Sequence, residues 1–456
     1  MTAIEQLAAH VSRRDGLGLS SALGERLALH VADTVGAWIA ATATAEGRRL
    51  IRFREAMRQP GAAGFGGADL AADLARNCAL ARLSEVDDIH LAAMTTAGAI
   101  VIPGALTIAR SLPDREGSDL TAAIVGGYEA MIRLGLAIDG PANLYRGIWP
   151  TYFSAPFGIA AVAARLMELD ASQTAHALAL APTLSAPGVG HHNAPTTSRW
   201  LAVGHAARNG LAAAVAAQSG FTADLKLLDS GFLTNIYGIT PVLSGLTEGL
   251  GGEPMLGQVS LKPWCAARQT MAATQALREI VAQGVAPDAI VEVRAAVLPP
   301  HQKMIDHGVV AGDRASHLTS LQYQMAVAAL TPEAARDVGQ SPGALAPALQ
   351  AFMARIKVAG DDALLAGYPS AWPARVTVVT RSATHERAVT HVPGDPARPL
   401  GAKDVGEKFH RLAAAAIGPA GASEMFAKIM AGSQDGRSPV WLVDEVNRIC
   451  AQAAPA

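Results

Sequence analysis

The sequence is poor in charged residues and in cysteine, and each shortage argues against a class of function. Only 17% of the 456 residues are charged and the formal net charge is −2, so nothing favours nucleic acid or an anionic membrane as a partner. The three cysteines, Cys78, Cys265 and Cys450, have no paired spacing. This pattern predicts neither a disulfide framework nor a thiolate metal site, and it fits a reducing cytoplasm.

The sequence also lacks long apolar runs. Charge or glycine interrupts each run well before the roughly 18 residues that a membrane span needs, and the N-terminus lacks the uninterrupted apolar core of a signal peptide. We therefore expect a cytoplasmic protein with no membrane partner, whose ligand is a small polar molecule or another protein.

What the chain has in abundance is alanine, and half of its residues are apolar. From residue 1 to about 260, apolar residues recur at helical spacing between glycines and prolines. The spacing changes near residue 286: DAIVEVRAAVLP (288–299) alternates like a strand, and ARVTVVTRSATHERAVTHVPGDP (374–396) predicts a hairpin. Helices are predicted near 316–330 and 341–357.

The alanine-rich helical pattern returns after residue 401. We predict a mainly α fold, with a large all-helical domain formed by residues 1–262 and 402–456 and a smaller α+β domain inserted at 263–401. The pattern alone also allows the last 50 or so residues to form an independent third unit.

Five segments together resemble the MmgE/PrpD family, which includes 2-methylcitrate dehydratase, cis-aconitate decarboxylase and iminodisuccinate epimerase. They occur in matching order along nearly the whole chain, and they are NCALARLSEVDDIHLAAMTTAGAIVIPGAL (77–106), GIWPTYFSAPFGIAAVAARLMELD (147–170), GHAARNGLAAAVAAQSGFTA (204–223), LKPWCAARQTMAA (261–273) and VPGDPARPLGAKDVGEKFHRLA (392–413). The resemblance implies that the α+β insert is a lid, that the protein is a homodimer, and that it acts without metal or organic cofactor on a small polycarboxylate.

The first of these segments has the acidic residues of the family but lacks one of its histidines. Family lyases carry an acidic residue just upstream of an Asp-Asp pair, and here Glu85 precedes Asp87 and Asp88. Many of them carry a histidine downstream of that pair, where this chain has Thr95 and Thr96. The resemblance places these residues in the site, with Asp88 as a catalytic candidate and Glu85 and the threonines as substrate ligands.

Other matches follow the same pattern. Trp149 replaces a second family histidine in GIWPT, and Arg199 replaces the lysine expected before GHAARNG. Family members carry a lysine where the two domains join, and this chain retains it as Lys262. A histidine that follows this lysine in the decarboxylases is replaced by Ala267 here. Tyr323 matches a family tyrosine. We expect Trp149, Arg199 and Tyr323 to bind substrate.

Lys262 and Arg268 place two cations near a Pro-Trp-Cys turn in a chain that has few charges. A polycarboxylate substrate needs cations, and arginine offers a planar grip on carboxylate while lysine offers a mobile charge. We predict a catalytic role for Lys262 and a substrate-binding role for Arg268 and Arg199. Ordinary solvated cations are the alternative.

The general base is less well defined by the sequence. His191 and His192 lie in the loop PGVGHHNAP, and no acidic partner stands at ligand spacing, so we predict no metal there. His192 is a catalytic candidate and His191 a substrate ligand. Tyr145, just before Trp149, is a further catalytic candidate, because a nearby cation can lower the pKa of a phenol.

The resemblance, together with these residues, implies a cofactor-independent, dehydratase-like lyase that abstracts a proton α to a carboxylate in a small di- or tricarboxylic acid. Two alternatives remain open. Because the family's histidine acids are missing, proton return to the other face would make the protein an epimerase of a small dicarboxylate, such as an iminodisuccinate-like acid. A non-catalytic carboxylate-binding protein is the third possibility.

Overall fold

A computed structural model describes residues 1–13, 20–57, 69–112, 117–188, 196–339, 344–435 and 439–453. The chain divides into two compact units. The first comprises Met1–Gly190, Thr197–Val259 and Gly401–Ala456, and the second comprises His191–Thr196 and Ser260–Leu400. The described residues are mainly helical with one small sheet, so the prediction of a mainly α protein is confirmed. The role of the second unit as a lid stays a prediction.

The α-helices of the described residues, in chain order, are α1 Ala3–Val11, α2 Ser21–Thr42, α3 Ala45–Ala56, α4 Leu70–Leu83, α5 Gly98–Ser111, α6 Gly117–Ala137, α7 Gly140–Leu144, α8 Pro150–Leu166, α9 Ala171–Thr183, α10 Ser198–Gln218, α11 Ser244–Thr247, α12 Arg268–Ala282, α13 Pro299–Ile305, α14 Arg314–Thr319, α15 Leu321–Leu330, α16 Pro347–Met353, α17 Ala402–Asp435 and α18 Trp441–Ala453. The strands are β1 Ile290–Val297, β2 Ile356–Gly360, β3 Ala374–Thr380 and β4 Thr384–Val389.

Small side chains let the central helices of the first unit pack closely. A Cβ atom at Gly127 of α6 would lie 2.5 Å from the side chain of Val162 on α8. A Cβ atom at Gly210 of α10 would lie 2.3 Å from the carbonyl oxygen of Pro156 on α8. Helix α8 is buried along nearly its whole length. The stretch Asp119–Ala137 of α6 is long and apolar enough to cross a membrane, but 89% of it is buried inside the protein, as in a core helix.

The C-terminal helix α17 packs on the N-terminal helix α2. Lys408 of α17 forms a buried ion pair with Asp33 of α2 and donates a hydrogen bond to the carbonyl oxygen of Val86 at 2.9 Å. The alanine-rich tail therefore belongs to the first unit. Gly418, with φ of 76°, and Pro419 kink α17.

The second unit contains the sheet, whose strand order is β2-β1-β3-β4. Strands β1 and β2 are parallel, and the other neighbouring pairs are antiparallel.

The predicted strand β1 and the predicted β3–β4 hairpin are confirmed. Of the helix predicted over 341–357, only Pro347–Met353 is helical among the described residues, as α16, and the prediction is wrong at its C-terminal end, where β2 begins at Ile356. The predicted 316–330 helix is two helices, α14 and α15, separated at Ser320, which caps α15.

Candidate active site

The segment between α4 and α5 is buried and has an unusual backbone. Glu85 and Met94 have positive φ values of 58° and 52°. Such a conformation costs a non-glycine residue on the order of 1–3 kcal/mol and tends to occur at functional sites. Four residues that the sequence assigned to the site lie in this segment, namely Glu85, Asp88, Thr95 and Thr96.

Asp88 is fully buried and is held by three groups of the first unit. One carboxylate oxygen accepts a hydrogen bond from the Tyr128 hydroxyl at 2.6 Å and lies 2.8 Å from Nδ1 of His30. The other accepts a hydrogen bond from the backbone N–H of Gly98 at 2.8 Å, where α5 begins. Burial, together with the charge of Asp88, holds the pKa of Tyr128 well above its usual range. These contacts anchor the start of α5, and the catalytic role of Asp88 stays a prediction.

His90 shapes the same segment as a neutral residue. Its Nδ1 accepts a hydrogen bond from the backbone N–H of Ala93 at 3.1 Å, and its backbone pairs with that of Thr95. Burial lowers the pKa of His90 to about 4, against the opposing effects of Gln258 and Asp88. The imidazole is therefore uncharged near neutral pH, which frees Nδ1 to accept.

The two threonines differ in their contacts. The hydroxyl of Thr95 is buried and has no hydrogen-bond partner among the residues that the structure describes. Thr96 is tied to Thr151 of α8, whose hydroxyl accepts from the Thr96 backbone N–H at 3.1 Å and lies 3.2 Å from the Thr96 hydroxyl. Thr96 therefore connects this segment to the first turn of α8.

Arg82, which the sequence analysis did not single out, neutralises the acids at the end of α4. Its Nη1 lies 2.9 Å from Oε1 of Glu85 and 3.4 Å from Oδ2 of Asp87. Burial acts to lower the pKa of Arg82, but Asp87 and Glu85 outweigh burial, so the pKa is raised. The predicted site residue Glu85 is therefore already paired with a cation. The i, i+3 spacing of Arg82 and Glu85 was the signal available in the sequence.

Two buried arginines, Arg82 and Arg199, lie over tryptophan rings. The guanidinium carbon of Arg199 lies 5.3 Å from the ring centre of Trp149 and 5.9 Å from that of Trp200, and Arg82 lies 5.9 Å from Trp200. All four side chains are buried. We call Arg82, Trp149, Arg199 and Trp200 the arginine–tryptophan cluster. It brings two predicted ligands, Trp149 and Arg199, together at distances typical of cation–π contacts.

Tyr152 lies against this cluster. Its ring centre is 5.4 Å from that of Trp149, with the planes at 69°. The side chain is fully buried, and its hydroxyl has no hydrogen-bond partner within the described part of the chain. Burial raises the pKa of Tyr152, while the charges of Arg82 and Arg199 act to lower it.

Three further predicted site residues, Lys262, Arg268 and Tyr323, belong to the second unit. Lys262 is buried, at 2% exposure. Arg268 begins α12, and its Nη2 donates to both carboxylate oxygens of Asp395 at 2.8 and 2.7 Å. Tyr323 packs edge-on against His317 with ring centres 4.5 Å apart, and burial raises its pKa to about 12, with smaller contributions from Asp337 and Cys265. Within this unit Arg268 thus has a structural partner, and its substrate role stays a prediction.

Three catalytic or binding candidates have less structural context. Tyr145 is partly buried and follows the last residue of α7. His191 and His192 lie outside the described residues. Among the described residues, no group of three or more His, Cys, Asp or Glu side chains is arranged to hold a metal ion.

Comparison with known proteins identifies the family. The model of the MmgE/PrpD N-terminal domain matches residues 5–241, and that of the MmgE/PrpD C-terminal domain matches residues 264–432. The chain therefore belongs to the MmgE/PrpD family, as the sequence resemblance predicted.

Two curated relatives show a more limited similarity. Cis-aconitate decarboxylase from Aspergillus terreus, and the same protein from strain NIH 2624 / FGSC A1156, are each 30% identical over 184 residues. The match covers 39% of this chain and 36% of each relative, so it spans little more than a third of their length.

Proposed function

We propose that this protein is a cofactor-independent lyase of the dehydratase type. It would abstract a proton α to a carboxylate of a small di- or tricarboxylic acid and expel the group on the neighbouring carbon. Membership of the MmgE/PrpD family and the partial similarity to cis-aconitate decarboxylase support lyase chemistry on a polycarboxylate.

The observation that carries the proposal is the position of Arg199 in the arginine–tryptophan cluster. A guanidinium offers two parallel N–H groups to a carboxylate, and the guanidinium of Arg199 lies over the rings of Trp149 and Trp200. The side chain is only 4% exposed, and charge interactions are stronger where water is excluded. A substrate carboxylate bound to Arg199 would therefore lose much of its negative charge.

That loss of charge is what makes the neighbouring C–H bond acidic. Removing the proton moves an electron pair into the carboxylate, which becomes an enediolate with two negative charges. Fixed cations that are already in place stabilise this species more than the substrate, and so lower the barrier. Lys262 is proposed as a second cation on the basis of its family match. Asp88, His192 and Tyr145 are the candidates for the base.

An epimerase is the second candidate, and one sequence feature favours it. Dehydration requires an acid for the departing hydroxyl, and Thr95 and Trp149 stand where family members carry histidines. An enzyme that only removes and returns the α-proton needs no such acid. A non-catalytic carboxylate-binding protein is the third candidate and would use the Arg199 contact alone.

Incubation with citrate, 2-methylcitrate and malate in deuterated water separates the three candidates. An alkene product supports the lyase, deuterium at the α-carbon without an alkene supports the epimerase, and binding by calorimetry without either change supports the binding protein. Arg199→Ala should abolish the observed signal, whereas Lys303→Ala, at an exposed lysine of the second unit, should leave it intact. A lyase that remains fully active without Arg199 would rule out the cluster as the site.

A further inference from the structure

We propose that Tyr152 is the proton donor of this site, and that its hydroxyl protonates the departing hydroxyl group of the substrate. This inference rests on the proposed lyase function and adds a residue and a step to it.

The argument begins with the groups that surround Arg199. A guanidinium keeps its proton throughout the accessible pH range and an indole does not ionise, so no member of the arginine–tryptophan cluster can act as an acid. Tyr152 packs directly on Trp149 and carries a hydroxyl that can give up a proton and take it back. It is therefore the acid that the fold places beside the proposed carboxylate-binding arginine.

The hydroxyl is buried in a way that the fold itself does not explain. Tyr152 is 0% exposed, yet no group within the described residues forms a hydrogen bond with its oxygen. An unsatisfied buried hydroxyl costs about 1–3 kcal/mol, so a phenylalanine at this position would make the fold more stable. A ligand that bonds to this hydroxyl accounts for its presence.

The groups around Tyr152 affect both the neutral phenol, before proton transfer, and the phenolate that forms on it. Burial raises the pKa of Tyr152, so the resting enzyme keeps the proton. The charges of Arg82 and Arg199 favour the phenolate, against opposing effects from Glu85 and Asp87. Tyr152 is also the third residue of α8, and the N-terminal turn of a helix favours negative charge. The two arginines and the helix N-terminus therefore offset part of the cost that burial places on the phenolate formed by proton transfer.

The step is balanced as follows. The base takes the α-proton, and the electron pair of that C–H bond forms the C=C bond. The C–O bond breaks with its electron pair on oxygen, which receives the proton of Tyr152 and leaves as water. Proton exchange with solvent then restores the base and the phenol.

Tyr152→Phe separates this role from binding and from proton abstraction. With malate in deuterated water, the variant should form fumarate at least about 100-fold more slowly than the wild type. Exchange at the α-carbon should stay within about threefold, because the base and Arg199 are unchanged. Tyr237→Phe, which removes a phenol from the same unit, is the control and should match the wild type in both measurements.

A substrate with a different leaving group provides the second measurement. Chlorosuccinate also gives fumarate, but chloride leaves with its electron pair and needs no proton. Tyr152→Phe should therefore eliminate chloride at close to the wild-type rate while failing with malate, a contrast that a misfolded variant cannot produce.

Two results would overturn the inference alone: unchanged malate dehydration in Tyr152→Phe, or an equal loss of malate dehydration, chloride elimination and α-carbon exchange. A wild-type protein that forms no alkene from malate, citrate or 2-methylcitrate would overturn the proposed lyase function, and the proton donor with it.

Discussion

Arg268 and Asp395 form an ion pair in which a single guanidinium nitrogen lies within 2.8 Å of both carboxylate oxygens. Both side chains are about 1% exposed, and Asp395 also accepts a hydrogen bond from the backbone N–H of Val392 at 2.9 Å. The pair joins the first residue of α12 to a turn 127 residues later in the chain. Arg268 therefore has a structural role within the second unit, whether or not it also binds substrate.

Breaking the pair from either side should destabilise the protein. Asp395→Asn leaves a buried guanidinium without its counter-charge, and we expect a loss of about 3–5 kcal/mol in the free energy of unfolding. The measurement is urea unfolding followed by tryptophan fluorescence. The double variant Arg268→Met/Asp395→Asn should be more stable than Asp395→Asn alone, since it leaves no unpaired charge. Equal stability of the two variants would show that the pair is not the source of the effect.

His301 should make stability depend on pH. It is buried against Tyr368 and Trp372 with ring centres 5.6 and 4.7 Å away, and burial, assisted by the charge of Arg268, lowers its pKa from 6.5 to about 3. Below pH 6.5 the unfolded chain therefore binds a proton that the folded chain does not. The free energy of unfolding should consequently fall as the pH drops from about 6.5, by up to about 1.4 kcal/mol per pH unit from this residue.

His301→Phe tests this pH dependence. The substitution keeps an aromatic ring against Trp372 and removes the titrating group, so the loss of stability between about pH 7 and about pH 5 should be smaller than in the wild type. Unfolding in urea at several pH values measures it, with the value near neutral pH as the internal reference. An identical slope in the variant and the wild type would place the acid sensitivity elsewhere.

The fold followed from the sequence where periodicity is strong. The alternating run that became β1 and the polar turn of the β3–β4 hairpin both predicted their structures. Strand β2 was missed because it has only five residues and begins at Ile356, soon after α16 ends at Met353. Its pairing with β1 comes from a contact about 60 residues away, as between Val293 and Ile356, which no local pattern reveals.

The site followed from the sequence only in part. Matching blocks pointed to Trp149 and Arg199, which the fold does bring together. The sequence analysis selected neither Arg82 nor Tyr152, because an arginine near the end of a helix and a tyrosine in an apolar helix are common in any protein. What distinguishes them is three-dimensional: Arg82 lies over the ring of Trp200, more than 100 residues later in the chain, and the buried hydroxyl of Tyr152 has no hydrogen-bond partner in the part of the chain that the structure describes.

Lys262→Ala tests the family match that placed a cation at this position. If Lys262 stabilises the developing enediolate, its loss should slow α-carbon exchange by about 100-fold or more, because a positioned charge acts mainly on the transition state. Lys303→Ala is the control, since this lysine is exposed in the same unit. Unchanged exchange in Lys262→Ala, with Arg199→Ala inactive, would show that Lys262 has no role in the reaction.

Arg199→Lys asks whether the geometry of the guanidinium matters, or only its charge. Lysine keeps the charge but has neither the planar fork nor the flat face that stacks on Trp149 and Trp200. We expect about a tenfold to hundredfold loss in kcat/KM, expressed in a lower kcat as well as a higher KM, because a bond to a charged group contributes about 1.5–3 kcal/mol and Arg199 is proposed to bind the enediolate more strongly than the substrate. Steady-state kinetics with the active acid of the panel measures it, and Arg208→Lys, at an exposed arginine of the same helix, is the control. If Arg199→Lys keeps the wild-type kcat/KM, the substrate carboxylate is bound elsewhere, and the cluster instead stabilises the packing of α4, α8 and α10.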